Sequence, residues 1–334
     1  MLDSSLTDIL RTLSIKEWTE FEKFCGSTFH NGGRDLTPLL RLLKRFRNEF
    51  DSDRLSREFL YGKLYPGRPY RKSVMESSLS RLNRLAGEFL IQLGIRQNQF
   101  FIKERLLLSE IAERGLRKRG DKTVRMIEKK LKDRKEHPFD FTAKKEVHMG
   151  LATYYSTLNL RQKHVEQLEK TKRYIIYSFI SELAYFESAK LSGLSFSNQD
   201  PGKSYEKQLV ELIDLEGPTE LARKYDKTDF GFLNLYYLMK KAVEDSHDES
   251  NYFAFKESAY GLLGRMDDTM KRFVYNTLGA LSSYYMVTGR KGFKKEAFEI
   301  RKKAVEEGLY SFSDSGIPKV SEFRSTFIDA LNEK

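Results

Sequence analysis

Long stretches of this 334-residue chain contain no proline, among them residues 70–137 and residues 219–317. Proline inside a helix removes a backbone hydrogen bond and clashes with the preceding turn, so stretches without it can run as long helices. Pro38 and Pro218 lie near the first positions of predicted helices, where proline is well tolerated. The alternation of apolar and polar residues that is typical of strands is nearly absent. These patterns predict an all-α protein.

The composition is typical of a folded protein without membrane spans. Apolar residues make up 40% and charged residues 32% of the chain, too apolar for a disordered chain and too charged for a membrane protein. The most apolar stretch, residues 174–186, contains Glu182 and is shorter than the roughly 20 residues that span a bilayer. The N-terminus has neither the basic start nor the apolar core of a signal peptide. Cys25 is the single cysteine, which excludes an intrachain disulfide, and we predict a cytoplasmic protein.

The first predicted helices are short. Ser14 and Glu17 have the spacing of a capping box, which predicts a helix start at this point. Trp18, Phe21 and Cys25 follow at helical spacing and should face a core, with Cys25 as a small buried apolar residue. Residues 26–35 are predicted to form a loop, and residues 36–50 an amphipathic basic helix.

Residues 53–93 predict two helices joined by a tight, basic turn. Ser56 is a candidate N-cap, and Pro66 should end the first helix because it disfavours helical geometry at the residue before it. The second helix should begin near Arg71 and continue past residue 95. Its apolar face is predicted to comprise Met75, Leu79, Leu82, Leu85, Ala86, Phe89, Leu90 and Leu93.

Residues 55–85, LSREFLYGKLYPGRPYRKSVMESSLSRLNRL, resemble the helix-turn-helix half of response-regulator-type winged-helix domains. The main matches are Leu55, Ser56, Arg57, Leu60, Pro66, Arg81 and Leu82. The resemblance implies a DNA-facing surface comprising Lys72, Ser73, Glu76, Ser77, Ser80 and Arg81. This chain departs from the pattern because a helix is predicted where those domains have a hairpin wing.

A broader resemblance covers most of the chain. The blocks LRTLSIKEWTEFEKFCGSTFHN and FDSDRLSREFLYGKLYPGRPY are similar to an uncharacterised bacterial family of all-helical proteins that continue into tetratricopeptide-like helix pairs. The resemblance implies a fold and no activity. We therefore predict an N-terminal helical cap domain over residues 1–95 and an α-solenoid over residues 96–334.

The predicted solenoid consists of helix pairs. Gly289, Ala297 and Ala304 have spacings that resemble a tetratricopeptide repeat, with Gly289 closing one helix and the two alanines allowing close packing. A loop is predicted at residues 117–120. The aromatic residues of the third and fourth helices are predicted to pack in the core or between repeats: Tyr154, Tyr155, Tyr174, Tyr177, Phe179, Tyr185 and Phe186. The predicted helices are 98–115, 120–135, 141–160, 163–192, 219–226, 229–244, 250–264, 268–287, 291–308 and 320–332.

Positive charge is concentrated in the first half of the chain. The net charge is −2 for residues 1–33, +8 for 34–105, +8 for 106–173 and −3 for 174–334. Such asymmetry indicates either an anionic partner or ordinary solvated helix faces. The candidate contacts for an anionic partner are Arg68, Arg71, Lys72, Arg81 and Arg84.

No pattern in the sequence indicates catalysis, a cofactor or a metal. His148 and His164 lie in separate predicted helices, and the Gly202-Lys203-Ser204 sequence has Ser197 where a phosphate-binding loop needs glycine. We therefore predict a non-catalytic interaction scaffold that binds a protein or peptide. The alternative is a nucleic-acid-binding protein that uses the basic segment 34–173. The amphipathic helix 320–332 is predicted either to fold back or to form a homodimer.

Overall fold

A computed structural model describes residues 4–47, 49–50, 55–97, 101–194, 205–245 and 247–309. This part of the chain contains sixteen α-helices and one 3-10 turn, and no strand occurs within it. An isolated bridge joins Glu136 to Met266. The all-α prediction is confirmed for the described residues. The chain divides into two compact units, Met1–Asn98 and Gln99–Lys334, called unit 1 and unit 2 below.

Six helices lie in the described part of unit 1. Their bounds are α1 Ser4–Thr12, α2 Ile15–Gly26, α3 Thr28–Asn31, α4 Thr37–Lys44, α5 Arg57–Leu64 and α6 Lys72–Gln97.

The start and the core of α2 follow the sequence pattern. The Ser14 side chain accepts a hydrogen bond from Glu17 N–H, and the Glu17 carboxylate accepts one from Ser14 N–H, so the capping box is present. Trp18, Phe21 and Cys25 are buried, and burial raises the pKa of the Cys25 thiol to about 12. Cys25 is therefore a protonated apolar residue of the core rather than a nucleophile.

Three expectations for unit 1 were wrong in detail. The predicted loop 26–35 contains α3, which is closed after Asn31 by Gly32 in the left-handed conformation. Helix α4 ends at Lys44 rather than residue 50, because Arg45 and Phe46 bond to the carbonyls three residues earlier and tighten the chain into a turn. Leu90, predicted as core, is 39% exposed. The remaining predicted face of α6 is buried or half-buried.

Ten helices lie in the described part of unit 2. Their bounds are α7 Ile102–Glu113, α8 Arg117–Asp133, α9 Asp140–Thr157, α10 Arg161–Leu194, α11 Tyr205–Glu211, α12 Glu216–Tyr225, α13 Phe230–Glu244, α14 Glu249–Leu262, α15 Asp268–Val287 and α16 Phe293–Glu306. The 3-10 turn Leu263–Arg265 lies between α14 and α15.

Neighbouring helices pack along unit 2. Helix α10 packs against α9 and α13, α13 against α14, and α15 against α16. Gly289 has a φ of +82° directly after α15, and Ala297 and Ala304 are buried on α16. The helix-closing role of Gly289 and the packing role of both alanines follow from these positions.

Two predicted boundaries in unit 2 were wrong. The helix expected to continue from residue 95 through 105 is interrupted at Phe101, whose φ is +56°, and α7 begins at the next residue. Phe101 is buried with the Arg134 guanidinium 5.3 Å from its ring centroid, and this tertiary packing holds the unusual backbone. The loop expected at 117–120 is instead the first turn of α8, because the reversal occurs at Gly115 with a φ of +64°.

Most of the predicted aromatic core is buried, but Phe179 and Phe186 on α10 are 38% and 61% exposed. Those two assignments to the core were wrong. The Gly202-Lys203-Ser204 sequence that imitates a phosphate-binding loop and the predicted helix 320–332 lie outside the described residues.

Candidate functional site

The five cations predicted to contact an anionic partner lie at the turn between α5 and α6 and along α6. Arg68 and Arg71 are exposed in the turn. Lys72 lies 3.9 Å from Glu76, and Arg84 lies 2.5 Å from Glu88, both one helical turn further along. Arg81 is half-buried. Of the five candidates, Arg68 and Arg71 are therefore exposed in the turn, whereas Lys72 and Arg84 are in ion pairs with carboxylates of α6.

Ion pairs also engage other cations of unit 1. Arg57 bonds to Glu76 at 3.0 Å, and Arg96 at the end of α6 bonds to Glu20 on α2 at 2.7 Å. Of the four cations on α6, three are in ion pairs. Much of the positive charge that the sequence assigns to this region is neutralised within unit 1.

Helix α8 in unit 2 has a different charge pattern. It contains eight Lys and Arg against three Asp and Glu, a net charge of +5 over 17 residues. Its apolar face, with Thr123, Val124 and Ile127, is buried. Because the buried positions occupy one face, the cations must share the rest of the helix surface.

Five of these cations form a straight row. Lys118, Lys122, Arg125, Lys129 and Lys132 follow at steps of four and three, so they lie on one face opposite the buried one. The row spans about 21 Å at 1.5 Å per residue. All five are exposed, and within the described residues no ion pair engages them; Lys130, outside the row, pairs with Glu104. We call these five residues the α8 cation row.

The row carries an energetic cost. Like charges at this spacing destabilise a helix by about 0.2–0.5 kcal/mol for each pair. Lys118 faces Lys122 and Arg125 faces Lys129 at i,i+4. Asp121, Glu128 and Asp133 lie at the edges of the row, three or four residues from its cations. A bound anion would relieve this repulsion.

The contact between Gly120 and Tyr154 sets the position of α8 on α9. A Cβ atom at Gly120 would lie 2.1 Å from the Tyr154 hydroxyl, so no larger residue fits without moving the ring. The Tyr154 hydroxyl lies 3.1 Å from both Arg117 O and Asp121 Oδ1. These bonds hold the first turn of α8 in place, and the row begins in that turn.

The row ends at a cleft. Lys132 is one of the residues lining a cleft of about 640 Å³. Lys135 and Arg265 also line it, together with Glu136, Lys144, His148, Tyr174 and Asp229. The exposed lining of the cleft therefore contains three cations, Lys132, Lys135 and Arg265, beside one carboxylate, Glu128, and its buried wall is polar.

Lys144 is the centre of that buried wall. Its ammonium lies 2.7 Å from Asp229 Oδ1, 3.1 Å from Glu136 Oε1 and 3.8 Å from Asp140 Oδ2. Arg134 pairs with the other oxygen of Asp140. Burial lowers the pKa of Lys144, but the three carboxyl groups outweigh it and hold the pKa above its ordinary value. We call these five residues the Lys144 cluster.

One carboxyl of the cluster is protonated at neutral pH. Burial, followed by the hydrogen bond and the repulsion from Glu136, raises the pKa of Asp140 to about 8, against the opposing effect of Lys144 and Arg134. A hydrogen bond between two carboxyl groups requires a proton on one of them. With that proton, two cations face two carboxylates, and the buried charges balance.

The cluster joins several elements of unit 2. Glu136 N–H donates to Arg265 O at 2.8 Å, and Asp267 N–H donates to Glu136 O at 2.9 Å. Tyr174 on α10 donates to Asp229 Oδ2 at 2.7 Å. The connector between α8 and α9 is thereby tied to α10, to the start of α13 and to the turn before α15.

His148 lies beside the cluster and is engaged by neighbours. Its Nδ1 lies 2.7 Å from Gln167 Oε1, and its ring stacks on Tyr174 with centroids 5.2 Å apart. Burial lowers the pKa of His148, so the ring is neutral at pH 7. With Oε1 as the acceptor, Nδ1 carries the hydrogen.

Sequence reasoning missed both the α8 cation row and the Lys144 cluster. The row had a detectable signal, because five cations recur at the helical step between residues 118 and 132. The loop expected at 117–120 left only Lys118 outside the predicted helix 120–135, and the spacing of the other four cations was overlooked. The cluster had a local signal only in the i,i+4 spacing of Asp140 and Lys144, whereas the contact of Lys144 with Asp229 joins residues 85 positions apart.

No protein family model, curated protein or solved structure matches this chain. The fold class, all-α, therefore rests on its own geometry. Among the described residues, no group of three or more His, Cys, Asp or Glu side chains is arranged to hold a metal ion. Within the same residues, every helix is too short or too polar to cross a membrane.

Proposed function

We propose that the protein is a non-catalytic interaction scaffold whose unit 2 is a solenoid of tetratricopeptide-like helix pairs. The packing of α9 with α10, α13 with α14 and α15 with α16 supports this arrangement. Helix pairs of this kind cannot bury their apolar faces alone, so stacking creates one core and an extended surface. Such surfaces commonly serve as binding sites for proteins and peptides.

The partner that fits best is an acidic segment of a protein or peptide. The α8 cation row carries this proposal, because it is exposed, unpaired and about 21 Å long. An acidic helix presents carboxylates at the same helical step and would match the row. Met126, which is 40% exposed beside the row, adds an apolar contact that a peptide could use.

A non-catalytic role agrees with the state of the titratable groups. Lys144, Asp140, Glu136 and Asp229 are engaged with one another, and His148 is bound to Gln167. These groups hold helices together. Because each is already engaged by a neighbouring side chain, none of them is placed to take a proton from a substrate. The cleft beside them can receive the end of a peptide that follows the row to Lys132.

The test is fluorescence anisotropy with the full chain and a labelled Glu-rich helical peptide of about 14 residues, the length of the row. The double variant Lys122→Glu/Lys129→Glu should raise Kd at least about 10-fold at moderate salt, because two favourable contacts become repulsive. The matched control is Lys295→Glu/Lys302→Glu on α16, which changes two exposed lysines at the same spacing. Equal effects of both variants would contradict a site on α8.

A second candidate function is nucleic-acid binding, and the same row favours it. Cations spaced along one line neutralise successive phosphates without reading sequence. Arg68 and Arg71, exposed in unit 1, are further candidates, with Lys72, Arg81 and Arg84 on α6.

A salt titration with a labelled oligonucleotide of about 20 nucleotides separates the two functions. If nucleic acid is the partner, log Kd should depend linearly on log salt, and Lys122→Glu/Lys129→Glu should reduce the slope by about 2. Arg81→Glu/Arg84→Glu tests the contacts on α6 in the same assay. Tight peptide binding with no retained oligonucleotide would exclude this candidate.

A further inference from the structure

Helix α10 exposes apolar side chains along the face opposite its core. The 34-residue helix buries Tyr174, Tyr177 and Ala184 on one side. Six apolar residues of the other side are between 38% and 61% exposed: Val165, Leu168, Ile175, Ile176, Phe179 and Phe186. Single exposed apolar residues are ordinary, but six of them along one face of one helix are typical of an interaction site.

The spacing of the stripe is that of a coiled-coil seam. Positions 168, 172, 175, 179, 182 and 186 follow at steps of four, three, four, three and four. This series of steps is the same in both directions along the helix. A second copy of α10 running antiparallel therefore meets the first with every position matched.

The seam positions of the two copies pair with one another when the two-fold axis lies at the height of residue 177, the midpoint of the seam. Leu168 then lies opposite Phe186 of the second copy, and Ile175 lies opposite Phe179. Lys172 lies opposite Glu182, so the two charged positions of the seam complement each other. A parallel pair would instead place Lys172 against Lys172 and Glu182 against Glu182, which is repulsive.

The two charged residues are available for this contact. The Lys172 side chain is 64% exposed and pairs with Glu169 on its own helix at 2.6 Å. Glu182 is half-buried and accepts a hydrogen bond from Thr142 at 2.5 Å. A carboxylate accepts several hydrogen bonds, so Glu182 can keep Thr142 and add Lys172 of a second copy.

We propose that α10 forms the interface of an antiparallel homodimer through the seam at positions 168–186. Such an interface is isologous, because the same surface of both copies is used and the contact closes on itself. The proposal assigns the dimer to α10 rather than to the C-terminal helix predicted from the sequence. It stands apart from the proposed function, since the α8 cation row contributes nothing to the seam.

Light scattering and sedimentation of the full chain test the interface. The wild-type protein should be dimeric, and Ile175→Glu/Phe179→Glu should raise the dimer Kd by at least about 100-fold, because both residues lie at the centre of the seam. The control Leu221→Glu/Tyr225→Glu changes two exposed apolar residues of α12 at the same spacing and should remain dimeric. Far-UV circular dichroism melting checks that each variant is folded.

Charge exchange tests the register. Lys172→Glu and Glu182→Lys should each weaken the dimer, and the double variant Lys172→Glu/Glu182→Lys should restore it, since the opposite charges meet again. A double variant that is weaker than both single variants would contradict this pairing.

Cysteine cross-linking tests the direction. A mixture of Leu168→Cys and Phe186→Cys chains should form a disulfide, and neither variant alone should, because the two copies of residue 168 lie about 27 Å apart along an antiparallel pair. The buried Cys25 supplies a wild-type background without cross-links.

Three results would overturn the proposal. The first is a wild-type chain that stays monomeric at all concentrations tested. The second is a dimer that survives Ile175→Glu/Phe179→Glu but dissociates on Phe323→Glu/Phe327→Glu, which would assign it to the C-terminal segment. The third is cross-linking of Leu168→Cys with itself, which would show a parallel pair.

Discussion

The Lys144 cluster and the α8 cation row come from the same basic stretch of sequence, residues 106–173, but the structure treats their charges in opposite ways. Lys144 is buried and lies within 4 Å of three carboxyl groups. Lys122 and Lys129 are exposed, and each has further cations one helical turn away, Lys118 and Arg125 respectively, with no ion pair to a carboxylate among the described residues. A count of charges along the sequence cannot distinguish these two environments.

The difference separates stability from binding. A buried ammonium loses its hydration, so the fold has to supply carboxylates around it, and it becomes part of the frame. An exposed lysine keeps its water and contributes little to the fold, so its position is free to serve a partner. The comparison predicts that changes in the cluster alter stability and that changes in the row alter binding.

The largest effect is expected for Lys144→Met. Removing the ammonium leaves Glu136, Asp140 and Asp229 buried without it, and breaking a buried ion pair in this way costs about 3–5 kcal/mol. Lys122→Met in the row should change the free energy of unfolding by less than about 0.5 kcal/mol. Urea denaturation of both variants measures the difference. Similar losses in the two variants would mean that burial does not separate the two groups of lysines.

The next effect concerns the contact that places the row. Gly120→Ala puts a methyl group against the Tyr154 ring, and overpacking of this kind costs about 1–3 kcal/mol. Gly87→Ala is the matched control, since it lies inside α6 with open space around the new methyl group. That change should stabilise the protein by about 0.5–1 kcal/mol, because alanine favours helix. Thermal melting of the two variants should therefore shift in opposite directions.

A third prediction concerns pH. The pKa of Asp140 is raised in the folded state to about 8 from an ordinary value of 3.8, so the folded protein holds a proton that the unfolded chain releases. The contribution of this proton to the free energy of unfolding is fully present below about pH 4 and is lost as pH rises towards 8.

Asp140→Asn removes this titration and keeps the side-chain shape. Relative to the variant, the wild type should lose stability as pH rises between 4 and 8, by at most about 1.4 kcal/mol per pH unit. Chemical denaturation across this range gives the slope. Parallel curves for wild type and variant would show that Asp140 does not hold the proton.

The smallest effect on stability is expected in the row itself. Lys122→Glu/Lys129→Glu makes two repulsive i,i+4 pairs attractive, Lys118 with residue 122 and Arg125 with residue 129, and makes one pair, residue 129 with Asp133, repulsive. Stability should therefore rise by up to about 0.5 kcal/mol while binding weakens. A variant that loses both stability and binding would indicate a structural role for these lysines. Thermal melting and fluorescence anisotropy on the same samples distinguish a binding role of these lysines from a structural role.

Local signals predicted the helices well where caps and apolar spacing were clear. Ser14 with Glu17, and Ser56, start helices where the sequence placed them. The errors lie where a distant contact sets the backbone. Phe101 interrupts a helical pattern because its ring is buried with Arg134, 33 residues away. The charged start of α8 lacked a side-chain cap and was taken for a loop, although Tyr154 from α9 holds it.

The sequence by itself determined that the chain is helical, where most helices lie and which face of each is apolar. It did so because propensity, capping and helical spacing act over a few residues. Tertiary structure decided which charges are paired, which are open and which apolar residues of α10 remain uncovered. Those outcomes depend on residues far apart in the chain, such as Lys144 and Asp229, whose distance only the packed helices set.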